Sequence, residues 1–306
     1  MKGIEGLQTY ISDGSLRIVQ AVAVPRSVST ALARAINEAD GQSVFINEPF
    51  NRRVRSPDAA ANVILDNVDP LLSIATGSLT VITKSMASYM DHAAFTEMSA
   101  LSESTIWNVS HPLIQMGSLL TRIANDIAVE PGADLIRQDT LEPYLEGVTD
   151  YLAHSEKSDN FSKTGWASIG EHYQNKHLIE NSIVVDGEEL ITNPYIILSG
   201  LSARLGLKFN PRMVGGWERG FINISNGDNK QITAESAWTR QAATSIGMAA
   251  LPRQAIDIVK LPAQLREHIT EVAIPVYEAM IADSLGHTTV NPVSNQPKQH
   301  FQWQNL

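Results

Sequence analysis

Residues 16–37, LRIVQAVAVPRSVSTALARAIN, decide the fold. Leu16 to Val24 is apolar and β-branched enough for a strand covered on both faces, and Thr30 to Ile36 has the Ala/Leu/Arg composition of a helix. Between them lies the hydroxyl-rich turn Pro25-Arg26-Ser27-Val28-Ser29-Thr30. A strand that enters a helix through so short a turn is a phosphate cradle. The first helical turn leaves backbone N–H groups unpaired and its dipole favours an anion, while Ser27, Ser29 and Thr30 set three hydroxyls beside the permanent cation of Arg26. The nucleotide-kinase pattern G-x-x-x-x-G-K-[ST] is absent. A serine-capped helix with a surface arginine would look the same locally, so the rest of the chain must decide.

Working outward, Ser43 to Asn47 is a second strand, stopped by Pro49 so that Glu48 stands at its carboxyl end. One helix and a short loop separate the two strands, the interval a right-handed crossover needs, which predicts parallel neighbours with Glu48 beside the turn. Leu79 to Thr83 is a third strand delivering Lys84 at its end. Thr105 to Val109 is a fourth, followed by Ser110-His111-Pro112 and a periodic helix through Leu113, Met116, Leu119, Leu120 and Ile123. Ser182 to Val185 is a fifth, ending at Asp186-Gly187-Glu188-Glu189, which reads as a turn. Helices are expected near 61–74, 91–101, 140–154, 166–179, 194–205, 235–245 and 261–284. The alternation predicts an α/β fold, a three-layer doubly wound parallel sheet of about five strands that binds ligands at the carboxyl ends. Residues 1–285 read as one domain with a mostly helical insert at 126–180, and 286–306 as an extended arm.

Composition narrows the function. With 23 basic and 33 acidic residues the net charge is −10, which argues against nucleic acid or an anionic membrane as partner, so any anionic ligand needs a local cluster. The absence of cysteine excludes disulfides, thiolate metal sites and cysteine nucleophiles. No apolar run approaches a membrane span and the first residues lack the apolar core of a secretory signal, so a soluble cytoplasmic protein is the expectation. A homo-oligomeric state is left open.

The turn resembles the 5′-phosphosulfate loop of the sulfotransferase superfamily, in the PRS-x-ST form of its small bacterial branches. Cytosolic family members usually carry Lys in place of Arg26 and Gly in place of Val28; a β-branched residue disfavours positive φ, so Val28 is expected at negative φ. Further landmarks follow in order: Glu48 in NEPF, Lys84 in VITKSM, Ser118 in SHPLIQMGSL, the run VVDGEELITNP with LGLKF, and Trp238 through Ser245 and Ile246.

The resemblance implies 3′-phosphoadenosine 5′-phosphosulfate as donor, adenosine 3′,5′-bisphosphate as product, a small hydroxyl- or amine-bearing acceptor and no metal. It implies that Arg26, Ser27, Val28, Ser29 and Thr30 hold the 5′-phosphate, and that Arg26 neutralises charge on the bridging oxygen. Glu48 would be the base; the histidine that the cytosolic branch uses is replaced by Met86. Lys84 would steady the sulfuryl oxygens or serve as an ion-pair partner. The 3′-phosphate site departs from the family: Ser118 is in register, but Ser110 stands where an arginine is usual. Arg122, one helical turn beyond Ser118, is the expected replacement cation. If it is not, the donor lacks a 3′-phosphate or activity has been lost.

Two other readings stay open. Asp186 at a strand end, with Thr30, would suit a Mg²⁺-dependent small-molecule kinase, and the departures at Val28 and Ser110 would suit a retired scaffold. Trp166, Tyr173, Trp217 and Trp238 would line an acceptor pocket or belong to the core.

Overall fold

The computed structural model describes residues 3–39, 43–51, 54–128, 135–154, 160–179, 181–217, 224–225, 244–248 and 253–285. Five strands form the body of one parallel sheet: β1 (Leu16–Ala23), β2 (Ser43–Asn47), β3 (Leu79–Met86), β4 (Ser104–Val109) and β5 (Ser182–Asp186). A two-residue β6 (Ile224–Ser225) extends one edge, giving the order β5-β4-β1-β3-β2-β6. The first and second strands are therefore parallel but not neighbours: β3 lies between them, correcting the expected adjacency. A crossover length sets direction and hand, not which strand later fills the gap.

The period of two along the strands sorts side chains into two cores. Ile18, Val22, Val81 and Trp107 face one layer of helices, while Val19, Ala21, Ile82, Ile106 and Ile183 face the other. The first layer contains α1 (Gly3–Ser12), α3 (Pro57–Leu72), α4 (His92–Leu101), α5 (Pro112–Ala128), α6 (Leu145–His154) and α7 (Trp166–Gln174). The second contains α2 (Ser29–Asn37), a short α8 (Gly187–Thr192) and α9 (Pro194–Arg204). The chain then returns to the first layer through Ala263–His268, a π turn at Ile269–Ala273 and Ile274–Ile281.

Local chemistry explains several ends. Ser56 accepts from Ala59 N–H with Pro57 at the first turn, so α3 starts four residues before the expected Ala61. Asp91 caps α4 through Ala94 N–H at 2.8 Å, and Gly206 at φ 63° ends α9. Asp186 is an N-cap rather than part of a turn, accepting Glu188 N–H at 2.8 Å. In the insert α6 begins only at Leu145, after two single 3₁₀ turns, and α7 ends at Gln174. The helix expected at 235–245, Trp238, and the arm at 286–306 lie outside the described residues, apart from the end of that helix at 244–245. Among the described residues no helix is long and apolar enough to cross a membrane.

Trp166, Tyr173 and Trp217 belong to the core, all below 9 % exposure. Two histidines are buried in the first layer, one in α7 and one at the end of Ala263–His268. His268 Nε2 lies 2.9 Å from Thr164 Oγ1, whose proton goes to the Phe161 carbonyl, so Nε2 carries the hydrogen. Burial pushes the His268 pKa from 6.5 down to about 4, and burial likewise lowers that of His172, which contacts the Met90 carbonyl at 3.1 Å.

The unfolded chain then binds more protons, so the stability these groups contribute is complete above pH 6.5 and is lost as pH falls towards 4. The loss from His268 is at most about 3 kcal/mol. The urea midpoint is expected to drop between pH 6.5 and 5 in the native chain and to drop less in His268→Gln; equal slopes would refute a neutral buried imidazole.

Candidate functional site

The parallel strands bring three groups of polar residues to one edge of the sheet. The first is the turn after β1. Val24 N–H donates to the Asn108 carbonyl at 3.3 Å, extending the β1–β4 ladder one step before the chain turns at Pro25. Arg26 and Val28 then adopt φ 64° and 68°. Val28 is thus left-handed, opposite to the expectation, and sits at the N-cap position of α2. A left-handed L-residue costs roughly 1–2 kcal/mol and persists only where neighbours impose it.

Those neighbours surround the turn. Gln115 of α5 donates to the Pro25 carbonyl at 2.8 Å and accepts from Trp166 Nε1 at 3.3 Å. Gly165 lies so close that a Cβ there would stand 3.0 Å from Pro25 Cδ, and one at Gly187 would stand 2.7 Å from the Ser27 carbonyl oxygen. Val28→Gly removes the side-chain penalty and adds backbone entropy to the unfolded chain. A net gain of about 0.5–1 kcal/mol, roughly 1–2 °C in Tm, is expected. A fall in Tm on scanning calorimetry would mean that the valine side chain, not the backbone, matters there.

The hydroxyls of the turn divide. Ser27 Oγ is fully buried and turned inward, 2.7 Å from the Val24 carbonyl and 3.1 Å from Asn108 Oδ1, so it braces the turn. Ser29 and Thr30 open α2, and neither hydroxyl is engaged by another described residue. Arg26 reaches across to α5, where Nε donates to Ser118 Oγ at 3.0 Å.

The second group is Glu48 with Lys84. Lys84 lies inside β3, which runs on to Met86, rather than at the strand's end, and its side chain is 1 % exposed. Asn47, Lys84 and Ala21 form one row across the sheet. Glu48 follows that row at φ 53°; its N–H donates to the Lys84 carbonyl at 2.6 Å and its Oε1 accepts from Lys84 Nζ at 2.7 Å. Both ends of Lys84 therefore hold Glu48 in a strained conformation, with its carboxylate a quarter exposed. With β3 between, Glu48 and β1 are about 10 Å apart laterally.

The third group joins Ser110 to Arg253 and Glu188, two residues to which the sequence assigns no role. Arg253 Nη1 donates to Ser110 Oγ at 3.0 Å and to Glu188 Oε1 at 2.5 Å, and its Nη2 donates to the Arg26 carbonyl at 2.5 Å. Glu188 Oε2 accepts His111 N–H at 2.7 Å. Burial pushes the Glu188 carboxyl up to about 7 despite Arg253 and the His111 N–H, and burial lowers Arg253. Among the described residues the cation on the Ser110 hydroxyl is Arg253, while Arg122 is buried and pairs with Asp126 one turn along its own helix. Asp186 Oδ1 takes Glu188 N–H and Oδ2 takes the Tyr277 hydroxyl at 2.7 Å, so both its oxygens serve as cap and brace. In the stretch NRRVR at 51–55, Arg52 and Arg53 lie outside the described residues and Arg55 is exposed.

No family model and none of the curated proteins matches the chain. Among solved structures it is similar to the sulfotransferase domain from the curacin biosynthetic pathway, at 14 % identity over 84 % of this chain and 97 % of that domain, with a TM-score of 0.47. It is also similar to the sulfotransferase domain from the Synechococcus PCC 7002 olefin synthase, at 13 % identity over 83 % and 94 %, with a TM-score of 0.43.

Proposed function

We propose that this protein transfers a sulfuryl group from an adenosine phosphosulfate, of the 3′-phosphoadenosine 5′-phosphosulfate class, to a hydroxyl or amine of a small acceptor. The observation that carries the reading is the turn itself: two unengaged hydroxyls, Ser29 and Thr30, at the N-terminus of α2, with Arg26 alongside. That donor set fits a 5′-phosphate, since helix N–H groups, hydroxyls and a guanidinium all present hydrogens to an anion. The donor's 3′ end would lie towards Ser110 and Ser118.

When bound, such a donor supplies an activated sulfuryl group. The residues supply position and charge. Arg26 offsets negative charge on the departing nucleotide phosphate. Glu48 Oε2, the oxygen not held by Lys84, takes the proton that the acceptor loses, and Lys84 keeps the carboxylate oriented. The insert and the segment after Arg212 would shape the acceptor side, since loops carry such pockets.

Calorimetric titration with adenosine 5′-monophosphate and adenosine 3′,5′-bisphosphate tests the reading. At least one is expected to bind at a single site, and Arg26→Ala is expected to weaken it about 10- to 100-fold, the range for a charge-assisted hydrogen bond. Absence of heat with both nucleotides overturns it.

A further inference from the structure

The turn after β1 is gripped by its carbonyls. That of Val24 accepts from Ser27 Oγ at 2.7 Å, that of Pro25 from Gln115 Nε2 at 2.8 Å, and that of Arg26 from Arg253 Nη2 at 2.5 Å. A trans peptide is flat, with its N–H opposite its C=O, so each held carbonyl fixes the direction of the next residue's N–H. Arg26 and Val28 are left-handed, at φ 64° and 68°, with Ser27 between them at negative φ. Such an alternation turns successive N–H groups to one side as an anion-binding nest. The N–H groups of Val28, Ser29 and Thr30 donate to no other described residue. Pro25, Arg26, Val28 and Thr30 are partly exposed, so the outer side of the turn is open to solvent.

Gln115 works from the inner side. It is fully buried on α5, so it meets the turn and not a ligand. Chemistry sets its amide one way round: the Trp166 indole N–H only donates and the Pro25 carbonyl only accepts, so the oxygen faces the first at 3.3 Å and the nitrogen faces the second. Ser118, three residues along the same helix face, takes Arg26 Nε at 3.0 Å. One helix therefore holds Arg26 both at the peptide that enters it and at its guanidinium.

We infer that Gln115 is a positioning residue of the donor site: it locks the peptide joining Pro25 to Arg26, and so keeps the nest and the Arg26 side chain aimed at the 5′-phosphate. The inference rests on the sulfuryl-transfer reading and adds to it a residue that never touches the nucleotide. A site held ready in this way loses no affinity to reordering when the anion arrives.

Calorimetric titration tests it with two ligand pairs that differ only in the 5′-phosphate: adenosine 3′,5′-bisphosphate against adenosine 3′-monophosphate, and adenosine 5′-monophosphate against adenosine. The native chain is expected to prefer the 5′-phosphate in at least one pair. Gln115→Met, similar in length but without hydrogen bonds, is expected to cut that preference by about fivefold or more. A smaller change, with only the urea midpoint lowered, marks a structural glutamine; it overturns the inference and leaves sulfuryl transfer standing. Should Gln115→Met fail to fold because the Trp166 N–H has lost its acceptor, the double variant with Trp166→Phe removes the orphaned donor and is read in the same way. Failure of both to fold assigns Gln115 to the fold alone and also overturns the inference. A native chain with no preference for the 5′-phosphate in either pair sinks sulfuryl transfer and this inference together.

Discussion

Replacing Glu48 by Gln is expected to cut turnover by about 10²- to 10⁴-fold, the usual contribution of a positioned general base. The substitution leaves the shape, the left-handed backbone and an oxygen for Lys84 Nζ in place, and removes the carboxylate's charge and with it the ability to take a proton. Nucleotide affinity should change little, because Glu48 stands across β3 from the turn. Turnover of labelled donor with a mixture of small alcohols and amines gives the rate, and calorimetry gives the affinity. Activity within about threefold of the native chain would remove Glu48 from the chemistry.

Glu48→Ala should behave differently, losing roughly 3 kcal/mol of stability in addition, because it strands the ammonium of a lysine that is 1 % exposed. The value sits at the low end for a broken buried pair since the carboxylate keeps a quarter of its surface in water. The double variant Glu48→Ala with Lys84→Met should recover most of the loss, for an apolar side chain of similar length carries no charge to desolvate. Urea unfolding of the three proteins closes the cycle. Equal stability of Glu48→Ala and the native chain would mean that Lys84 finds another partner, and the ion pair would then be incidental to the fold.

Several elements were legible without the fold. The β-branched runs at Leu16, Ser43, Leu79, Thr105 and Ser182 each became a parallel strand, because burial on both faces admits little else at that length. Pro49 and Gly206 marked their boundaries through backbone restrictions that travel with the residue itself. The candidates Arg26, Ser110 and Ser118 do come together, since every carboxyl end of a parallel sheet lies on one edge.

Other features had no local signal. The insertion of β3 between β1 and β2 brings Lys84 against Glu48, yet neither strand's composition says which neighbour it takes. Val28 has an intrinsic preference for negative φ, yet it is left-handed within a turn that Gln115 holds at Pro25 and that Gly165 and Gly187 approach closely. Arg253 is 143 positions from Ser110, in a stretch with no recognisable motif. Side-chain chemistry and strand periodicity are short-range properties, so the sequence by itself determined the α/β architecture and the strand–turn–helix unit at 16–37. The strand order, the backbone strain at the turn and the Arg253 contact at Ser110 depend on contacts between distant segments, and these the tertiary structure alone decided.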